Sequence, residues 1–308
     1  MHNKLYYDKI ILIFKIFEMR IKKGDNMNKI GVAVCGNSGI DYLVHDKDIR
    51  KFRSLLVIEE KEFEDFVDID AENFYGQLVK NPDLDIHTAQ TSTGYLVEMY
   101  NEMHQAGYEE LIIITIAREL SGTYQNAVLA ANMVDIKVHV FDSVSLSYVE
   151  ALMAMTAKKM ADAGKSVQEI LKELEYIRDH NHIYVCVDTL KYLVKNGRLS
   201  NASGLLGSLL KIKPLLEVSK AGKVETIEKI RTTKKARDEM KRRFLSEIEG
   251  KNVIPFIIYT NNLQDMFEIK DEFENAGLEE VLLIPLTPVV GCHAGPGTMG
   301  VGYIERKK

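Results

Sequence analysis

The sequence predicts an α/β protein of two α/β domains: an N-terminal Rossmann-like domain on a parallel sheet and a C-terminal domain on a mixed sheet. Three observations predict it. Short apolar runs alternate with amphipathic helical stretches through the first half, the pattern of βαβ units. The run "ELIIITI" is apolar without a break, as a parallel strand covered on both faces requires. In the second half the order changes, and "KPLLEVSKAGKVETIEKI" reads as a hairpin about "SKAGK". A chain of 308 residues suits roughly two domains. The boundary is expected between residues 165 and 180, giving domains 28–175 and 176–308.

Taken in order, "IGVAV" is a buried strand ending in the turn "CGNSG", and "SLLVI" is the second strand. "AENFYGQLV" reads as a short helix. "TAQTSTGYLVEMYNEMHQAG" reads as a loop and then a helix, with Leu96, Met99, Tyr100 and Met103 on one face and Gly107 at its end. After the strand "ELIIITI", a helix begins near Ser121 with Tyr124, Ala127, Val128 and Ala131 inward. "KVHVFDS" is a strand, and "LSYVEALMAMTAKKMADAG" a long helix closed by Gly164. Ser166 with Glu169 three residues later is a capping box that opens the next helix, through Ile177. "IYVCV" is a strand, "TLKYLVKNGRLS" a short helix running into a turn, and "TKKARDEMKRRFLSEI" an amphipathic helix. "VIPFIIY" and "VLLIPL" are strands flanking a helix. The glycine-rich tail "PVVGCHAGPGTMGVGYIERKK" reads as mostly extended.

Composition narrows the function. With 46% hydrophobic and 28% charged residues the chain is ordinary for a globular protein. A net charge of -5 without a long basic run argues against nucleic acid. The three cysteines, Cys35, Cys186 and Cys292, have neither metal nor CxxC spacing, which suits a reducing cytoplasm. In "KIILIFKIF", Lys9 and Lys15 bracket five apolar residues, far fewer than the roughly 20 that span a bilayer. "MNKIGVAVCGNSG" reads as a native start. Translation is therefore expected to begin at Met27, with residues 1–27 an extension that is non-native or disordered.

"GPGTMG" matches G-x-G-x-x-G, but the residues after it read as a strand rather than a helix, so close backbone packing explains these glycines better than a dinucleotide. No P-loop motif occurs. Cys292 and His293, adjacent in an expected strand, would face opposite ways. Ser121 in "ELSGT" lacks the G-x-S-x-G context and reads as an N-cap. A helix start also favours an anion, and Gly122 admits a ligand close to the backbone. "HTAQTSTG" is a second hydroxyl cluster. If both lie at the carboxyl edge of a parallel sheet, Thr88 and Ser121 meet at one site. Arg198 in "NGRLS" and the basic stretch "EKIRTTKKARDEMKRR" complete the candidates; solvated surface is the plain reading of both.

In order, "NSG", "TAQTS", "LSGTYQNA", "FDSVSLS", "LVKNGRLS", "LLKIKPLLEV", "KIRTTKKA" and "HAGPGTMG" resemble the DegV family, which includes the fatty-acid-binding subunits of bacterial fatty acid kinase. The resemblance runs from Ile30 almost to the C-terminus. It implies a DegV-type fold with one long-chain acyl group between the two domains, and no cofactor. It implies that Thr88 and Ser121 hold the carboxylate, backed by Gly122 and Thr123, that His293 lies near it, and that Arg231 meets the kinase. Arg198 is placed with them, near the carboxylate or the kinase contact. Three departures bear on pocket shape and chain-length preference. Asn37-Ser38 stands where the family has Asp-Ser, Thr88-Ala89-Gln90-Thr91-Ser92 loses a serine and a proline, and Ala117-Arg118-Glu119 precedes Leu120 in place of small and hydroxyl residues.

Two functions of different classes follow. One is a cytoplasmic carrier that binds a long-chain fatty acid and presents its carboxylate to a separate fatty acid kinase subunit, touching membranes at most transiently. The other is a serine esterase or thioesterase using Ser121 and His293, which needs an orienting group and an oxyanion hole. An acyl-sensing regulator is a third reading.

Overall fold

The computed structural model describes residues 29–200 and 212–307. The expectations for residues 1–27 and for the start of "LLKIKPLLEV" fall outside them. The first part of the chain forms β1 (Ile30–Cys35), β2 (Arg50–Phe52), β3 (Leu55–Ile58), β4 (Lys61–Glu64), α1 (Ala71–Lys80), β5 (Ile86–Ala89), α2 (Thr93–Gln105), β6 (Glu110–Thr115), α3 (Thr123–Ala131) and β7 (Lys137–Asp142). Helices α4 (Tyr148–Asp162) and α5 (Val167–Asp179) lead to β8 (Asn181–Cys186) and α6 (Lys191–Lys195). Then come β9 (Leu215–Val218), β10 (Val224–Glu228), α7 (Thr233–Ile248), β11 (Val253–Tyr259), α8 (Leu263–Asn275), β12 (Leu282–Pro285), α9 (Pro288–Ala294) and β13 (Met299–Glu305).

A four-stranded sheet, ordered β2-β1-β6-β7, is parallel throughout. Its central strands are buried along nearly their whole length, as unbroken apolar runs require. A six-stranded sheet, ordered β10-β9-β8-β13-β11-β12, is mixed: only β11 and β12 run parallel. The fold is thus α/β with a parallel sheet and a mixed sheet, as predicted. Helix α2 buries Leu96, Met99, Tyr100 and Met103, with Ser92 capping its start. Helix α5 opens on the Ser166–Glu169 capping box, and the expected hairpin is β9–β10.

Several expectations need correcting. "SLLVI" is a strand, but β3 belongs to a separate three-stranded antiparallel sheet, β4-β3-β5. The second strand of the chain is instead β2, which pairs with β1 as a polar three-residue edge of which only Phe52 is buried. Helix α3 buries Thr123, Ala127 and Ala130, spaced i, i+4 and i+7; Val128, expected inward, is 36% exposed. The tail is not extended throughout. Pro288 follows the cap residue Thr287 and starts α9, where a proline loses no helical hydrogen bond. Only from Met299 is it a strand.

One apolar cluster joins the two large sheets. It runs from Val32, Val34, Ile112 and Ile114 through Val149, Met153, Ile170 and Leu174 to Ile183, Phe256 and Ile304. Helices α4 and α5 therefore lie between the sheets, and the Tyr148 ring packs 5.1 Å from Phe256. Helices α2 and α3 cover the other face of the parallel sheet, and α7 and α8 that of the mixed sheet. The three-stranded sheet packs on α1 and α9 through Leu56, Phe74, Tyr75 and Val289.

Candidate functional site

The carboxyl ends of the parallel strands face the mixed sheet across a cavity of about 410 Å³, within the roughly 300–1,000 Å³ of small-ligand sites. Asn37 enters it after β1, Ser54 after β2, and Ile116, Leu120 and Ser121 after β6. Val185, Leu216, Val218 and Ile258 face them from the mixed sheet, while Thr88, Ala89 and Gln90 come from β5 and its end. Leu286, Val289, Val290, His293 and Ala294 close one side from α9 and the residues before it. Most of the wall is apolar, and no described wall residue is a carboxylate.

The polar groups are tied to one another. Thr88 Oγ1 and His293 Nε2 are 3.0 Å apart. Burial, and then the Arg198 charge, lowers the imidazole to about 4, so His293 is neutral near pH 7. Its Nδ1 has no partner among the described residues. With the proton on Nε2 the imidazole donates to Thr88 and leaves the Thr88 hydroxyl hydrogen for a ligand; with the proton on Nδ1 the Thr88 hydroxyl donates to Nε2 instead. Ser121 Oγ lies 2.9 Å from Thr123 Oγ1 and accepts from the Thr123 amide at 3.3 Å. Arg198 donates to the carbonyls of Leu120 at 3.2 Å and Asn196 at 2.5 Å, while Asn196 Nδ2 donates to the Cys292 carbonyl. The guanidinium is thereby fixed between the β6 loop and α9.

The cavity thus brings together Thr88, Ser121, Arg198 and His293. Gly122 and Thr123 stand behind Ser121 and are not wall residues. A Cβ on Gly122 would meet Gln90 Oε1 at 2.1 Å, so this glycine gives Gln90 its place. Arg231 is exposed before α7, away from the wall. Three local readings change. Thr88 is on a strand of the small antiparallel sheet, not in a loop of the parallel one. Ser121 is not the N-cap; Gly122 is, and Ser121 sits one residue ahead. His293 is helical, so it and Cys292 are a helical step apart rather than on opposite faces. Sequence reasoning gave Ser54 no role and named Asn37 and Gln90 only within departures that bear on pocket shape. The turn after a first buried strand was the available signal for Asn37, and "TAQ" for Gln90.

This arrangement can hold an amphiphile: hydroxyls, a helix start and one guanidinium for an anionic head, apolar walls for a tail. A family model described as an uncharacterised protein, DegV family, matches residues 35–306. The chain belongs to the DegV family. A DegV domain-containing protein of Staphylococcus aureus is 31% identical over 253 residues, 80% of this chain and 86% of that one. Among solved structures, DegV, a fatty acid binding protein from Bacillus subtilis, is 28% identical, with a TM-score of 0.80 over 91% of this chain and 100% of its own. A DegV family protein from Thermus thermophilus, solved for its fatty acid binding, is 26% identical, with a TM-score of 0.81 over 90% of this chain and 100% of its own. Among the described residues no helix is long and apolar enough to cross a membrane. Nor does any group of His, Cys, Asp and Glu among them suit a metal.

Proposed function

We propose that this protein is a cytoplasmic carrier. It binds a long-chain fatty acid with the carboxylate at Thr88 and Ser121 beside Arg198 and His293, and presents that carboxylate to a separate fatty acid kinase. The observation that carries the reading is the cavity itself, apolar over most of its wall and, among the described residues, free of carboxylates at its polar end. The fatty acid binding of the Bacillus and Thermus relatives supports it. Ser121 is bonded to Thr123 and His293 to Thr88, an arrangement that favours holding a head group over nucleophilic attack.

Helix α7 supports the partner. Arg237, Lys241, Arg242 and Arg243 are paired with acidic side chains of this chain. Arg231, Lys234 and Lys235 are exposed near its start, and the first turn of the helix carries no acidic residue. Cations at a helix N-terminus oppose the macrodipole, and an acidic partner surface relieves this. The expected partner is the kinase.

Native mass spectrometry of the protein as purified tests the carrier. A retained acid of roughly 14–18 carbons is expected, long enough to bury many methylenes at about 0.8 kcal/mol each. A protein that carries no lipid and takes up none when offered oleate overturns the reading. Turnover of p-nitrophenyl acyl esters that is lost in Ser121→Ala would establish the hydrolase instead.

A further inference from the structure

Asn37 and Glu150 form a polar pair beneath the apolar wall. Asn37 follows β1 and lines the cavity, 4% exposed. Glu150, in the first turn of α4, is completely buried. Asn37 Nδ2 donates to Glu150 Oε1 at 3.0 Å. Among the described residues Asn37 Oδ1 and Glu150 Oε2 have no hydrogen-bond partner. Buried polar atoms in folded proteins are nearly always paired, so an orphan amide oxygen on a residue that lines the cavity needs an explanation. Burial, reinforced by the charge of Asp142, raises the Glu150 carboxyl well above its ordinary range.

A carboxyl accepts in either protonation state and donates when protonated, and the amide both donates and accepts. The two can bond as the amide hydrogen to the carboxyl oxygen. With the carboxyl protonated and the amide turned over, they can also bond as the carboxyl hydrogen to the amide oxygen. Either way one amide group, an acceptor or a donor, is left over on a residue that lines the cavity. A hydroxyl answers both orientations, because it too donates and accepts. A methylene answers neither and leaves the amide desolvated.

Resting on the carrier reading, we infer that Asn37 is a second polar contact in the cavity, and that the preferred ligand is a long-chain fatty acid with a hydroxyl on its acyl chain. The carboxylate is held as proposed above, and the Asn37–Glu150 pair reads one position along the tail. A hydroxyl there gains a buried hydrogen bond. Elsewhere along the apolar wall it loses its water without replacement.

The test uses the delipidated full chain, stearate, and a series of monohydroxystearates that differ only in the position of the hydroxyl, measured by isothermal titration. One isomer is expected to bind about tenfold tighter than stearate, and the others more weakly than stearate. Asn37→Leu should bring the favoured isomer's advantage close to none. Stearate binding with no isomer preferred, a gain independent of position, or an advantage that survives Asn37→Leu overturns this inference and leaves the carrier intact. Failure of every acid to bind overturns both. If Asn37→Leu does not fold, the positional profile of the unaltered protein still decides.

Discussion

In the proposed site, Thr88 and Ser121 supply the head-group chemistry one hydroxyl at a time. A hydrogen bond to a charged group is worth roughly 1.5–3 kcal/mol, so Thr88→Ala or Ser121→Ala is expected to weaken oleate binding by about ten- to a hundredfold without unfolding the protein. Isothermal titration on delipidated protein checks this; affinities equal to the unaltered protein's would place the site elsewhere. Asp65 and His293 report on the interior differently. Burial raises the Asp65 carboxyl to about 7, with the Val289 amide and Arg53 only partly opposing it. Between pH 4 and 7 the folded state then keeps a proton that the unfolded chain gives up, so stability falls as pH rises. Asp65→Asn should remove that fall, gaining on the unaltered protein by up to roughly 4 kcal/mol by pH 7. His293, lowered to about 4, has the opposite sign: its contribution is full above about 6.5 and is lost as pH drops toward 4. His293→Asn should flatten that acid limb, read by urea titration across the same range. Thr88 and Ser121 stood out in the sequence as hydroxyls ahead of helices, while His293 and Arg198 joined them as candidates through the family resemblance. Asn37, Asp65 and Glu150 did not stand out, since their roles come from burial that only tertiary packing creates.

At the scale of elements, α9 is the narrowest fit. A Cβ on Gly291 would stand 2.0 Å from Tyr75 Oη, whose hydroxyl donates to the Leu286 carbonyl from a fully buried ring. The ring has nowhere to go, so Gly291→Ala is expected to cost about 1–3 kcal/mol. It should also loosen fatty acid binding, because α9 carries His293; denaturant unfolding and titration measure the two effects. The long elements were read from sequence because their periodicity is strong: unbroken runs for β1 and β6, one apolar stripe for α2. The short ones depend on what they touch. β2 has a single buried residue, β5 buries only Ile86 of its four, and α9 hides a helix among residues that suggest extension. The Thr287-Pro288 pair was its one local signal.

Across the whole molecule, the two large sheets share one core, and the cavity opens into it beside Ile258, Leu286 and Val218. A ligand that binds only the folded state stabilises it by about 2.7 kcal/mol at a hundred times its Kd, so oleate should raise the melting temperature of delipidated protein in proportion to the logarithm of its concentration. An unchanged melting temperature would mean that the acid does not reach this core. The proposed kinase-docking surface around Arg231 is likewise a property of the whole molecule. Arg231→Glu should slow acyl-phosphate formation more than it weakens lipid binding, and raised salt should do the same, since exposed charges act over roughly 8–10 Å; equal losses would place Arg231 in the pocket or the fold. The shared core has a further consequence for the life of the protein in a cell. On the proposed carrier reading, an acyl chain seated between the sheets adds to the packing that holds the halves together, so the lipid-free protein is expected to be easier to prise open and to be digested sooner by a housekeeping protease. Lipid supply would then set how long each copy lasts, and limited proteolysis with and without oleate checks this: equal digestion rates would overturn it.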